Sequence, residues 1–328
     1  LDEAGIENSA IKLKSVAYRI NRQPVVSKHI TVGAGSHEIV ISKDSKTAFI
    51  LNRQSTTVSV IDIEKALVIH TIQTPRGYAI SLNNDGTKLL IGQPAGYAST
   101  ANLVAAYDTA SYTLLKQTLL YYKVPYGLTG IKGTGTYAYT STEYFNDGGG
   151  ALYEIAKINT QTGNVEKYIP TGTGAVSGRL WISPENVIYG WYGNWGVRRF
   201  DTSSDAFIFN APFSPPVSGI AFSNTDNKGF YVSGSIVGTF DRLLNKIINT
   251  NQGFNSAVGV ATNPSEALLY VTEYGTDKVH IFDTSEDQPK LVNTLSGFNG
   301  PQYLQVTPNG KHLLVSNYRS STIALVDL

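Results

Sequence analysis

Glu143, Glu273 and His37 are the side chains best suited to moving protons, and Arg53, Arg76, Arg179 and Arg319 those best suited to holding an anion. No local motif joins them, so an acid–base site built from them would have to be assembled by the fold from distant stretches of chain. His29, His37, His70, His280 and His312 show no paired spacing of the kind that lets two imidazoles share a metal. The absence of cysteine excludes thiolate zinc sites, iron–sulfur ligation, c-type haem attachment and disulfides. No Gly-x-Ser-x-Gly elbow occurs, and Gly172-Thr173-Gly174 lacks the strand-to-helix setting that cradles phosphate. The segment from Glu143 to Gly150 ends in Asp147-Gly148-Gly149-Gly150, without the alternating oxygen ligands of a calcium loop. No catalytic residue, metal or cofactor is assigned on these grounds.

A second set of residues suits recognition rather than reaction: Arg53, Tyr97, Tyr126, Tyr144, Trp191, Tyr192, Trp195, Tyr274, Tyr318 and Arg319. Aromatic and Arg side chains offer large contact area with few rotors to freeze. Trp191, Tyr192 and Trp195 stand within five residues, interrupted by Gly193 and Asn194, and three such rings are not easily buried together. For any single ring the alternative is packing between neighbouring elements.

The elements that must position these side chains are set by an internal repeat. Its clearest marker is a strand ending in Asp or Asn: Val58–Asp62, Val104–Asp108, Ile155–Asn159, Val197–Asp201, Ile236–Asp241, Val279–Asp283 and Ile323–Asp327. Positions 62, 108, 159, 201, 241, 283 and 327 lie 46, 51, 42, 40, 42 and 44 residues apart. That spacing fits a four-stranded propeller blade of roughly 40–45 residues, and the segments lack the 3.6-residue period of helices. The Asp side chain can accept from backbone N–H groups just ahead and close the turn into the next strand, a structural role rather than a catalytic one.

Second strands such as Ala267–Glu273, Gly229–Ser233 and His312–Asn317, with Asn84-Asp85-Gly86 and Pro308-Asn309-Gly310 as first turns, resemble the YVTN-type repeats of YncE-like and surface-layer-like bacterial propellers. The resemblance covers nearly the whole chain and specifies a blade rather than an activity. Around Tyr137 to Thr140 and Val187 to Trp191 the match weakens, so no relative's ligand is carried over.

The expectation is an all-β, seven-bladed β-propeller of four-stranded antiparallel blades in a single domain over 1–328, with blades starting near 37, 77, 124, 177, 217, 257 and 301. The seventh repeat ends at Leu328 without a fourth strand, and residues 23–32 supply it, closing the ring and protecting two sheet edges. Residues 1–22 read as an N-terminal extension or extra strand, with 11–20 an additional strand or an edge extension. In such a meander the loops after each second strand and those leading into each first strand share one face. That face holds the recognition residues together with His37, Tyr78, Tyr122, Arg179, Asn299 and Tyr303.

With 26 Lys plus Arg against 25 Asp plus Glu, no single-sign field favours DNA, although Arg53, Arg76, Arg179 and Arg319 could cluster locally. No apolar run approaches the roughly 18 residues that span a bilayer. The opening Leu1-Asp2-Glu3-Ala4-Gly5 fits a mature start after export, to the periplasm or cell surface. The favoured function is a non-catalytic binding or scaffold module that takes a small molecule or protein partner on the aromatic, Arg-bearing face. Two alternatives carry their own signatures. A propeller-type lactone hydrolase or isomerase, an analogy at fold level, requires Arg, His and Glu converging on the central channel with shifted pKa values. A surface-layer unit requires an apolar patch on the rim.

Overall fold

A computed structural model describes residues 23–95, 101–130, 136–145, 151–171, 179–191, 197–208, 217–244 and 246–328, with only the backbone course given for 126–130, 145, 151 and 191. Among the described residues every regular element is a strand, and no helix is long and apolar enough to cross a membrane. The extra strand expected over 11–20 lies outside the described residues.

Strand β1 (Val25–Thr31) precedes a series of antiparallel meanders. The first is β2 (Ser36–Ile41), β3 (Thr47–Asn52), β4 (Thr57–Asp62) and β5 (Leu67–Gln73). The second is β6 (Ala79–Leu82), β7 (Lys88–Gln93), β8 (Asn102–Asp108) and β9 (Leu114–Tyr121). The third is β10 (Val124–Gly130), β11 (Tyr137–Phe145), β12 (Ala151–Asn159) and β13 (Val165–Pro170), and the fourth β14 (Leu180–Ile182), β15 (Val187–Trp191), β16 (Val197–Asp201) and β17 (Ala206–Ile208). A six-stranded sheet follows: β18 (Gly219–Phe222), β19 (Lys228–Asp241), β20 (Lys246–Thr262), β21 (Leu268–Glu273), β22 (Lys278–Asp283) and β23 (Lys290–Leu295). The last sheet holds β24 (Pro301–Val306), β25 (His312–Asn317) and β26 (Thr322–Asp327), with β1 paired antiparallel to β26 from Val25↔Asp327 to Thr31↔Thr322.

Among the described residues the sheets therefore number six, not the seven separate four-stranded blades that the repeat predicts. The cause lies in β19 and β20, which run unbroken across boundaries that the repeat divides. β19 pairs with β18 over 229–232 and with β20 over 234–241, while β20 pairs with β21 over 257–262. Gly234, at a left-handed φ of 56°, pairs with Ala257 and keeps the ladder continuous where a loop would have ended it. The fifth and sixth repeats consequently share one sheet.

The marker residues do close turns. Asp108 Oδ1 accepts from the N–H groups of Ala110 and Ser111 at 3.0 and 2.7 Å, Asp241 Oδ1 from Leu243 and Leu244 at 2.8 and 2.7 Å, and Asn159 Oδ1 from Gln161 and Thr162 at 3.0 and 3.1 Å. The bonds from Ser111 hold the Asp108 carboxyl below its ordinary pKa. The following Thr109 and Thr202 donate their hydroxyls to Gly86 O and Asn186 O, each at 2.8 Å, tying this turn to the first turn of the same repeat.

The core lies between sheets. Phe49, Leu51 and Val60 from β3 and β4 pack with Leu89, Ile91 and Ala105 from β7 and β8, and Ile50 and Ile61 pack with Leu314 and Ile323 from the last sheet. The middle strands are buried on both faces, which is why they read as near-continuous Val, Ile, Leu and Phe runs instead of alternating ones. The fourth strands, β1, β5, β9 and β23, form the rim and carry exposed Val25, Ile69, Leu115, Leu119, Tyr121 and Leu291.

Candidate functional site

The innermost strands place their side chains in register because each ends in the same bond. The N–H groups of Ser42, Asn83, Ser183, Ser223, Asn263 and Thr307 donate to the carbonyls of Thr47, Lys88, Val187, Lys228, Leu268 and His312. Four residues before these anchors stand Glu38, Ala79, Arg179, Gly219, Gly259 and Tyr303. The three large side chains of this set meet at one level of the central channel. At Gly259 a Cβ would lie 2.3 Å from the carbonyl oxygen of Gln302, so glycine lets β20 approach β24.

Glu38, nearly fully buried, accepts on Oε1 from Arg179 Nε at 2.9 Å and on Oε2 from the N–H of Ile80 at 3.0 Å. The pair thus spans the channel from the first repeat to the fourth. Arg179 lies with Cζ 3.8 Å from the centroid of the Tyr303 ring, whose other neighbour is the His37 ring at 4.1 Å. Burial raises the Tyr303 pKa. Arg53 completes the cluster: its Nε and Nη2 donate to the carbonyl oxygen of Tyr78 at 3.0 and 2.6 Å, and Cζ stacks 3.8 Å from the Tyr78 ring.

His37 is the group with acid–base potential here. It is 7% exposed, and its Nδ1 has no hydrogen-bond partner among the described residues. Burial, then the charges of Arg53 and Arg179, push its pKa well below the ordinary value, so the imidazole is neutral at neutral pH. Two guanidiniums stand against one carboxylate, which leaves an excess positive charge suited to an anion or a developing oxyanion. Within the described residues Arg179 is bonded only through Nε, and its Nη groups remain available.

On the side of the first turns this level floors a cavity of about 710 Å³. Its wall is the remaining length of the inner strands, with Ile41, Leu82, Trp181, Ile182, Phe222 and Val306 prominent, and Lys43, Asn84 and Asn224 at its mouth.

Of the recognition residues inferred from sequence, the described ones fall in several contacts, with Arg319 against Tyr274 and Tyr318 bonded to Gln54, the neighbour of Arg53. Arg53 joins the channel cluster. Arg319 pairs with Asp277 at 3.1 Å and stacks over Tyr274, and Tyr318 accepts from Gln54 Nε2 at 2.9 Å. Tyr144 stacks against the Lys123 ammonium at 3.4 Å. Tyr97, Tyr192 and Trp195 lie outside the described residues, as do the side chains of Tyr126 and Trp191 and the segment 146–150. Among the other proton-transfer candidates, Glu143 accepts from Tyr153 and Glu273 from His280 and the N–H of Asn255. The described residues contain no group of three or more potential metal ligands.

Glu38 is the member that sequence reasoning missed. Its signal was present: a carboxylate inside the first strand His37-Glu38-Ile39-Val40-Ile41, at a repeat position where other strands carry Ala79, Gly219 or Gly259.

The family described as lactonase, 7-bladed β-propeller, matches residues 238–328, a minority of the chain that contains Tyr303 but no other member of the cluster. No curated protein matches the chain. Among solved structures it is similar to U3-55K (TM-score 0.75, 12% identity, 93% of this chain and 100% of that one). It is similar also to the RRP9 WD40 repeats (0.73, 13%, 94% and 99%) and to Kuenenia stuttgartiensis hydrazine synthase (0.72, 17%, 93% and 99%). At these identities the likeness is one of fold.

Proposed function

We propose that the chain is a lactone hydrolase whose reaction takes place at the charged level of its channel. The observation that carries this is the convergence there of a neutral, unpartnered His37 with Arg179, Arg53, Glu38 and Tyr303. The lactonase-family match at 238–328 supports the same class. His37 takes a proton from water as the water oxygen adds to the lactone carbonyl carbon. The Arg179 guanidinium, with Arg53 beside it, stabilises the oxyanion that forms. The ring C–O bond then breaks, and the departing alkoxide takes the proton back from His37 to give a hydroxy acid. Glu38 orients Arg179 and is a positioning residue.

The test is turnover of a lactone panel followed by proton release. His37→Gln should lower kcat/KM by about 10²–10⁴-fold, the range expected for a lost general base, with the thermal midpoint kept. No turnover of any lactone, or undiminished turnover in the variant, would sink the proposal.

A second reading, lateral assembly, is favoured by a separate observation: exposed apolar side chains concentrate on the outermost strands β5, β9 and β23. Analytical ultracentrifugation of Leu115→Lys and Leu119→Lys variants separates it, because a disc that associates through its rim should become monomeric.

A further inference from the structure

We infer that Glu273, His280 and Thr294 form a second reactive centre, on the outer strands and independent of the channel, in which Thr294 takes an acyl group from an aryl ester. His280 Nε2 is 2.9 Å from Glu273 Oε2, and His280 Nδ1 is 3.0 Å from Thr294 Oγ1. The carboxylate is held as well by the N–H of Asn255 at 2.6 Å and by the Thr276 hydroxyl. Burial raises the Glu273 pKa, but those bonds and the one from His280 outweigh it, so the carboxyl sits below its ordinary value and is ionised at neutral pH. An ionised carboxylate only accepts, so the Nε2 proton points at Glu273, and in the neutral imidazole Nδ1 is left to accept from the Thr294 hydroxyl. Carboxylate, imidazole and hydroxyl thus stand in the order that activates an alcohol as a nucleophile.

Comparison among the repeats shows that the blade does not need these residues in order to fold. His280 stands three residues before the marker Asp283, and the same offset holds Ser59, Ala105, Ala156, Arg198, Gly238 and Ala324 elsewhere. In the first repeat the row at this level is Asn52, Ser59 and Thr71, with the Asn52 amide 2.9 Å from Ser59 Oγ and Ser59 paired to Thr71 across the strands. In the sixth, His280 is paired to Thr294 in the same way, and Glu273 ends the second strand where Asn52 does. An amide and a hydroxyl suffice to hold the row, so a carboxylate and an imidazole depart from the blade's own rule, and such departures mark functional positions. Glu273 and His280 are largely buried while Thr294 is exposed, so an ester reaches the hydroxyl from solvent. The half-buried Phe254 ring, its centroid 5.7 Å from that of His280, supplies the apolar surface beside the base that suits an aryl group.

In the reaction Thr294 Oγ1 bonds to the ester carbonyl carbon as its proton passes to His280 Nδ1. The C–O bond to the aryl oxygen then breaks, and the departing phenoxide takes that proton. Water, deprotonated by the same nitrogen, adds to the acyl carbon, releases the acid and restores the Thr294 hydroxyl. The probes are diisopropyl fluorophosphate, with which Thr294 Oγ1 bonds to phosphorus and fluoride leaves, and p-nitrophenyl acetate. The first should leave a diisopropylphosphoryl group on Thr294 in the tryptic peptide Leu291–Lys311, located by fragmentation in a mass spectrometer, a readout that turnover in the channel does not enter. Thr294→Val, at an exposed position that the fold tolerates, should lose the adduct, and Thr294→Ser should keep it. His280→Gln and Glu273→Gln should slow its formation by about 10²–10⁴-fold, and p-nitrophenol release should fall by a similar factor in Thr294→Val. Should either buried variant fold poorly, the parent chain still reports the base: the labelling rate should rise with pH through a single ionisation. No adduct at Thr294, an adduct that forms as fast in folded His280→Gln, a pH-independent rate, or equal labelling of the neighbouring Ser296 would overturn the inference. Undiminished p-nitrophenol release in Thr294→Val would overturn the aryl ester as its substrate.

Discussion

Removing Arg179 exposes the electrostatic logic of the channel most directly. The Glu38 carboxylate is 8% exposed and depends on one guanidinium and one backbone N–H for its hydrogen bonds. Breaking one side of a buried ion pair costs about 3–5 kcal/mol because the remaining charge is left uncompensated. Two features place this case at the lower end: the Ile80 N–H still donates at 3.0 Å, and the Arg179 side chain is 26% exposed, so water already reaches part of the pair. At about 2.1 cal/mol/K per residue, unfolding entropy for 328 residues is about 0.7 kcal/mol/K, so a loss of ~3 kcal/mol lowers Tm by about 4 °C. Arg179→Met should show that drop in scanning calorimetry at neutral pH. Glu38→Gln/Arg179→Met should recover most of it, because the amide still accepts from Ile80 and no charge is stranded. The reasoning is refuted if the single variant melts within 1 °C of the parent chain, or if the double variant melts lower than the single one.

Titration of His37 gives a prediction of known sign. Its folded-state pKa lies below the unfolded value of about 6.5, so its contribution to stability is fully present above that pH and is lost as pH falls toward the folded pKa. Denaturant midpoints should fall between pH 6.5 and 5 in the parent chain and fall less in His37→Gln. The same shift keeps the base neutral, so lactone turnover should hold its plateau to below pH 6.5 before the acid limb begins. Gly259→Ala places a Cβ against the carbonyl of Gln302, a backbone atom that cannot swing away, and should cost about 1–3 kcal/mol by urea unfolding. Gly86→Ala, which meets no atom within 4 Å but has a φ of 79°, should cost less, and a reversed order would refute the close approach of β20 to β24. Leu314→Ala, at a fully buried position between the first and last sheets, should cost about 2–5 kcal/mol.

The repeat was legible because its marker does local work. In six of the seven repeats an Asp or Asn at the end of the third strand accepts from one or two of the N–H groups that follow it, and that need recurs wherever the same turn recurs. The number of sheets was not legible by the same route. Whether two repeats form separate sheets depends on whether hydrogen bonding lapses between them, and at Gly234↔Ala257 it does not. That continuity depends on one glycine at positive φ and on the path of 246–262, neither of which the Asp spacing registers.

The site was half legible for a related reason. Aromatic and Arg residues were weighed by how they cluster along the chain, which made Trp191, Tyr192 and Trp195 prominent and left Glu38 unremarked. A closed ring of repeats joins residues by a different rule: positions with the same offset from the first turn converge on the axis, whatever their separation in sequence. Glu38, Arg179 and Tyr303, 141 and 124 residues apart, share one offset and meet, while Glu143 and Glu273, named for their chemistry alone, find partners elsewhere.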